Sequence, residues 1–165
     1  ALFELCYLPE FRKSVRDLRD KYEGSFDNFW KDFRSRPAMT KDGDGALTND
    51  WCMAACYSAE ADGTVQLPYD TATGELRPEI WERWLAWDPV RMVPGHADAL
   101  RSLKAIYIDC GWRDQYHIHY GTRILSKRLA ESGIRHTYEE FDDNHSDVDY
   151  RMDVSLPFLY RALKP

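Results

Sequence analysis

Asp114 and His145 are the residues whose types and spacing best fit chemistry. A carboxylate that holds the Nδ1–H of an imidazole keeps the ring in the tautomer that accepts a proton at Nε2. It also stabilises the imidazolium that results. Such a pair activates a hydroxyl nucleophile for acyl transfer. Asp114 closely follows the apolar run Ala105-Ile106-Tyr107-Ile108, and His145 closely follows a strand-like run ending at Phe141. One amphipathic helix lies between them. Parallel strands joined this way present their carboxyl ends on one edge of the sheet, where ligands bind. Where the chain order is nucleophile, acid, histidine, the nucleophile comes earlier. Nothing earlier fits. No G-x-S-x-G occurs, and Glu23-Gly24-Ser25-Phe26 lacks its first and last glycines.

The elements that must position this pair occupy the second half. Ala105 to Asp109 reads as a buried parallel strand. A helix from about Tyr116 to Ser132 turns Gly121, Ile124, Leu125 and Leu129 toward the sheet. Ser132-Gly133 is its stop, with glycine free to take the left-handed position. Ile134, His136 and Tyr138 alternate on a second strand that closes at Phe141. Tyr150 to Leu163 reads as a final helix, interrupted or offset by Pro157. The fold class is α/β. Two parallel strands cannot cover both faces and both edges of a sheet. The expectation is therefore that other polypeptide completes it.

Residues 1–100 read as a helical region. Pro9 can open a helix through Tyr22, with Phe11, Val15, Leu18 and Tyr22 at helical spacing. Phe26, Phe29, Trp30 and Phe33 form a second stripe. Asn49 or Asp50 can cap a helix through Cys56, Asp62 to Gly74 reads as a loop or short hairpin, and Pro78 opens a helix carrying Ile80, Trp81, Trp84 and Leu85. A short helix from Pro94 to Leu103 follows. Of the 23 aromatic residues, 14 fall in residues 1–87, which makes this region either aromatic core or a lid over an acyl site.

Three resemblances bear on the pair. Asp109-Cys110-Gly111-Trp112-Arg113-Asp114-Gln115-Tyr116-His117-Ile118-His119-Tyr120-Gly121 resembles the acid-bearing loop of the esterase D-like and enterochelin-esterase-like branch of α/β-hydrolases. Glu139-Glu140-Phe141-Asp142-Asp143-Asn144-His145-Ser146 resembles its histidine loop. Tyr150-Arg151-Met152-Asp153-Val154-Ser155-Leu156-Pro157 resembles its closing helix. The likeness covers roughly the last 65 residues, and Phe3-Glu4-Leu5-Cys6-Tyr7-Leu8-Pro9 resembles the stretch after the nucleophile elbow. The resemblance implies a serine-type carboxylic ester hydrolase with Asp114 as acid and His145 as base. Asp109 is the rival acid, and the family pattern favours Asp114 because the acid follows the glycine-containing turn. Residues 101–165 would be the C-terminal β-α-β-α part of the hydrolase core, and residues 1–100 a lid-like insertion. Nucleophile and oxyanion donors would come from a missing N-terminal portion of the same hydrolase. The substrate would be a small-molecule ester and no cofactor is required. The alternatives are a non-catalytic binding or accessory domain and, further off, a metal-dependent hydrolase.

Other constellations are weaker. His117-Ile118-His119 would share a face on a strand and could bind zinc there, but not on a helix. Asp142, Asp143, Asp147 and Asp149 lack the glycine and terminal glutamate of a calcium loop. Thr40 to Gly45 fails the same test and reads as a turn. Cys52 and Cys56 share a helix face. Their plainest reading is two small core-facing side chains, against a redox or metal pair. Four scattered cysteines make no disulfide scaffold and point to a reducing, cytoplasmic compartment. A length of 165 residues suits one domain with its own core. The net charge of -6 argues against nucleic acid or anionic membrane as partners. No apolar run approaches a membrane span, and the start runs into charged helix rather than a signal peptide. Ala1 in place of Met suggests processing or a fragment.

Overall fold

The computed structural model describes residues 2–164. Its elements are α1 Leu2–Tyr22, α2 Phe26–Arg34, α3 Asp44–Ser58, α4 Pro78–Leu85, α5 Pro89–Ser102, β1 Tyr107–Gly111, α6 Ile118–Glu131, β2 Thr137–Phe141 and α7 Met152–Leu163, with a 3-10 turn at Asp149–Arg151 before α7. The chain is mixed α/β and mostly helical. It forms two compact units, one of residues 7–87 and one of residues 88–164 with the first residues of α1. The sequence reading sets the division near residue 100. The structure includes α5 in the second unit, because its Val93 packs with Leu129 and Ile134.

In the second unit β1 and β2 are parallel neighbours, in register from Tyr107↔Thr137 to Gly111↔Phe141. Both strands begin two to three residues later than the sequence suggests, so Ala105 and Ile106 precede β1. Ile106, Ile108, Leu125 and Leu100 pack around the buried Val93, Leu129 and Ile134. Ile124, expected against the sheet, is exposed, and Thr122 is buried near that face instead. Gly133 closes α6 at φ +66, and its N–H donates to Ala130 O at 3.0 Å. Asp88 starts α5: it accepts from Val90 N at 2.8 Å and from Phe3 N at 2.6 Å while fully buried. That satisfies amides left without partners at a helix start. It also moves the start of α5 ahead of Pro94, which lies inside the helix.

Much apolar surface in this unit stays uncovered. Leu156, Tyr160 and Leu163 of α7 are 58–65% exposed. An apolar cavity of about 410 Å³ opens between α5, β1 and α6, lined by Met92, Leu100, Ile106, Ile108 and Leu125 among others. Among the described residues, β1 pairs with β2 alone.

The 7–87 unit is an aromatic core. Leu18, Tyr22, Phe26, Phe29 and Leu47 are buried together, with Trp30, Phe33 and Trp51 against them. Phe11, Tyr69, Trp81 and Trp84 form a second group with ring centroids 4.9–5.9 Å apart. Such contacts exceed their area alone in stabilising value. The aromatic stripes are thus core. Pro9 lies inside α1 rather than at its start, and α3 begins at Asp44 rather than Asn49. Asp44 is held there by Arg36 at 2.6 and 2.9 Å and by the amides of Thr40 and Lys41, and these bonds hold its carboxyl down at about 2. Cys52 and Cys56 are exposed, not core-facing. The buried residues of α3 are Asp44, Leu47, Asp50, Ala54 and Ser58.

Asp50 is a second buried carboxyl of α3, with no cation paired to it among the described residues. It is 2% exposed and accepts from Tyr69 Oη at 2.9 Å. Burial raises its carboxyl to about 6. A group whose folded value lies above its unfolded one stabilises fully below the unfolded value, and loses that contribution as pH rises through the folded one. Asp50 therefore costs stability as pH climbs from about 4 to 6, on the order of 2–3 kcal/mol at most. Asp50→Asn keeps an acceptor for Tyr69. It should raise Tm at pH 7 relative to the parent and leave the two proteins nearly equal at pH 4, as read by thermal melts across that range. Equal Tm differences at both pH values would show that Asp50 does not titrate there.

Candidate active site

The in-register pair ends level, β1 at Gly111 and β2 at Phe141, so the two following loops leave the same edge. They are stitched together. Trp112 N donates to Phe141 O at 3.0 Å and Arg113 N to Asp143 O at 3.0 Å. Arg113 Nη2 reaches Asp142 O at 3.1 Å, and its Nε pairs with the Asp142 carboxylate at 2.9 Å. Gly111 lies directly beneath this crossing: a Cβ there would collide with the backbone carbonyls of Asp143 and Asn144. Glycine is required for the close approach of backbone to backbone.

Asp114 sits in the first loop, 4% exposed. Its Oδ1 accepts from Tyr116 N at 2.8 Å and Ile118 N at 3.3 Å. Ile118 is the first residue of α6, so the carboxylate satisfies an unpaired amide at the positive end of a helix. Its Oδ2 lies 2.8 Å from Nδ1 of His145. The His145 side chain is 49% exposed. A carboxylate on Nδ1 assigns the proton to that nitrogen, leaving the Nε2 lone pair available. Tyr116 presents its ring edge-on to the imidazole at 5.1 Å. A cavity of about 250 Å³ adjoins the pair, lined by Cys110, Gly111, Asp114, Asn144 and His145 among others.

Asp109 is engaged elsewhere. Its Oδ2 accepts from Arg151 Nε at 2.8 Å, and Arg151 Nη2 reaches Glu139 at 2.9 Å and Tyr107 Oη at 3.0 Å. This network ties the 3-10 turn to the middle of both strands, at Asp109 and Glu139, and to Tyr107 at the start of β1. Cys110 lies with its Sγ 3.8 Å from Asp114 Oδ2. Burial, reinforced by that carboxylate, pushes its thiol up to about 11, so it is a weak donor to the acid and not a ready nucleophile.

The paired histidines diverge. His117 precedes α6 in the left-handed region at φ +62. His119 is buried with Nδ1 unpartnered, and burial pushes its imidazole below the ordinary value. Among the described residues no group of three or more His, Cys, Asp or Glu side chains is placed to hold a metal ion. Asp142 and Asp143 are taken up by Arg113 and by Tyr150 Oη.

Two arrangements escaped the sequence reading. Arg123 forms a two-pronged pair with Glu140 at 2.6 and 2.7 Å, and Tyr138 Oη donates to the same carboxylate; the guanidinium holds Glu140 down at about 2. Ser126 Oγ lies 2.8 Å from His136 Nε2, and Nδ1 of that ring lies 3.0 Å from Ile134 O. Neither pairing has a signal in sequence beyond residue type. Among the described residues, no serine hydroxyl is hydrogen-bonded to His145.

No helix among the described residues is long and apolar enough to cross a membrane. No protein-family model matches the chain, and comparison with curated proteins finds no match.

Proposed function

We propose that this chain supplies the acid and the base of a serine-type carboxylic ester hydrolase of the α/β-hydrolase fold, and that the nucleophilic serine comes from polypeptide outside it. One observation carries the reading. A buried carboxylate, fixed by two amides on one oxygen, holds Nδ1 of a half-exposed imidazole with the other. That is the orienting half of a nucleophile–base–acid relay. His145 Nε2 would take the serine proton as the ester carbonyl is attacked, then return it to the leaving alcohol. Water would be activated the same way to release the acyl group. The uncovered α7 face and the bare edge of β1 support a sheet completed by further strands.

The chain by itself should hydrolyse p-nitrophenyl esters no faster than background, because a base with no hydroxyl beside it supplies little. The coding sequence upstream should encode a G-x-S-x-G after a strand, and the longer protein should turn over the ester and be labelled at that serine by a fluorophosphonate. Steady hydrolysis by the chain alone, blocked by the same reagent, would defeat this reading. The nucleophile would then be sought first at Ser126, beside His136. An upstream sequence without a nucleophile motif would leave a binding module.

A further inference from the structure

We propose that Gln115 is a positioning residue for His145, a role that rests on the acid–base reading of the Asp114–His145 pair. The bond to Asp114 fixes one ring nitrogen. It does not fix the backbone that carries the ring, which leaves the sheet four residues earlier at Phe141. Gln115 does. Its Oε1 accepts the backbone N–H of His145 at 3.0 Å, and its Nε2 donates to Ser146 Oγ at 3.4 Å. A single carboxamide thereby grips two consecutive residues of the histidine loop.

The placement has a chemical logic. Gln115 directly follows the acid, so the residue that orients the ring and the residue that holds the ring's backbone move as one piece. Trp112 and Arg113 grip the same loop further back, at Phe141 and Asp143. The next residue, Tyr116, donates its amide to Asp114 and lays its ring against the imidazole. The carboxamide offers an acceptor to His145 and a donor to Ser146 from one side chain. Gln115 is exposed, so water competes for both bonds and its loss should loosen the site rather than abolish it.

The variants are Gln115→Ala, Gln115→Met and Gln115→Glu. Glutamate keeps the acceptor for His145 and loses the donor to Ser146. In the chain itself, ¹H–¹⁵N correlation spectra of the His145 ring should show a downfield, slowly exchanging Nδ1–H. It should broaden or vanish in the alanine and methionine variants and persist in the glutamate variant, with unchanged circular dichroism in all three. In the longer, serine-bearing protein, kcat should fall roughly tenfold for alanine and methionine with KM little moved, and recover most of the loss for glutamate. An unperturbed ring signal in Gln115→Ala would overturn the proposal, as would a glutamate variant as impaired as alanine. The two readings separate cleanly. If His145→Ala leaves hydrolysis intact, the acid–base reading fails, while the ring signal still decides what Gln115 does.

Discussion

In the serine-bearing protein, Asp114→Asn and His145→Ala should each lower kcat for ester hydrolysis by roughly 10³ to 10⁵. The two losses should not add, because the residues act as one relay. Asparagine keeps the shape of Asp114 and can still accept from Tyr116 and Ile118. At His145 it can offer an amide N–H where a carboxylate oxygen stood. The ring is then driven to the wrong tautomer and Nε2 becomes a donor, unable to take the serine proton. Alanine at 145 removes the base outright. Asp109→Asn is the control. Its contacts are with Arg151 and Tyr107, so it should cost stability and leave kcat near the parent's. Stopped-flow or steady-state kinetics on the three variants, with melting curves beside them, checks all of this. A large kcat loss in Asp109→Asn with a mild one in Asp114→Asn would reverse the assignment of the acid.

Gly111→Ala should be the most damaging single methyl group in the second unit. The carbonyls of Asp143 and Asn144 cross where its Cβ would sit. Those are backbone atoms, the Asp143 carbonyl held by Arg113 N, and they cannot turn aside as a side chain would. Overpacking of this kind costs roughly 1–3 kcal/mol. The geometric consequence is larger than the energetic one. Lifting residues 143 and 144 carries His145 away from Asp114, and a displacement near 1 Å at a catalytic group can cost on the order of 10²-fold in rate. The expected result is a lowered Tm together with loss of the downfield His145 ring proton. A variant that melts like the parent and keeps that proton would mean the loop has room that the crossing denies it.

The strand–loop–helix–strand–loop order was legible in the sequence because each piece is local. Short β-favouring runs end near Gly111 and Phe141, and Gly133 stops the helix between them. Asp114 and His145 stood out because each follows such a run. What stayed hidden depends on distant chain. Gly111 looks like any turn glycine until residues 143 and 144 are seen passing over it, and Gln115 looks like a surface amide until the backbone of His145 arrives above it. Pro9 by type suits a helix start, yet α1 runs through it. Phe3 and Phe11 are buried on either side, and packing of that kind outweighs one lost backbone bond. By residue type alone Cys52 and Cys56 face inward. The burial of Asp50 and Ser58, bonded to Tyr69 and Trp84, turns the helix the other way.

The acid and the base lie only 31 residues apart, linked by one helix and one strand. Closing a segment of that length costs less chain entropy than bringing in a residue from more distant chain. The dyad can therefore assemble without waiting for the serine. On the proposed reading, this chain and a serine-bearing piece made separately would each be inert, and could be fused one to each member of an interacting pair. Regained ester hydrolysis would then report their meeting, as a split enzyme does.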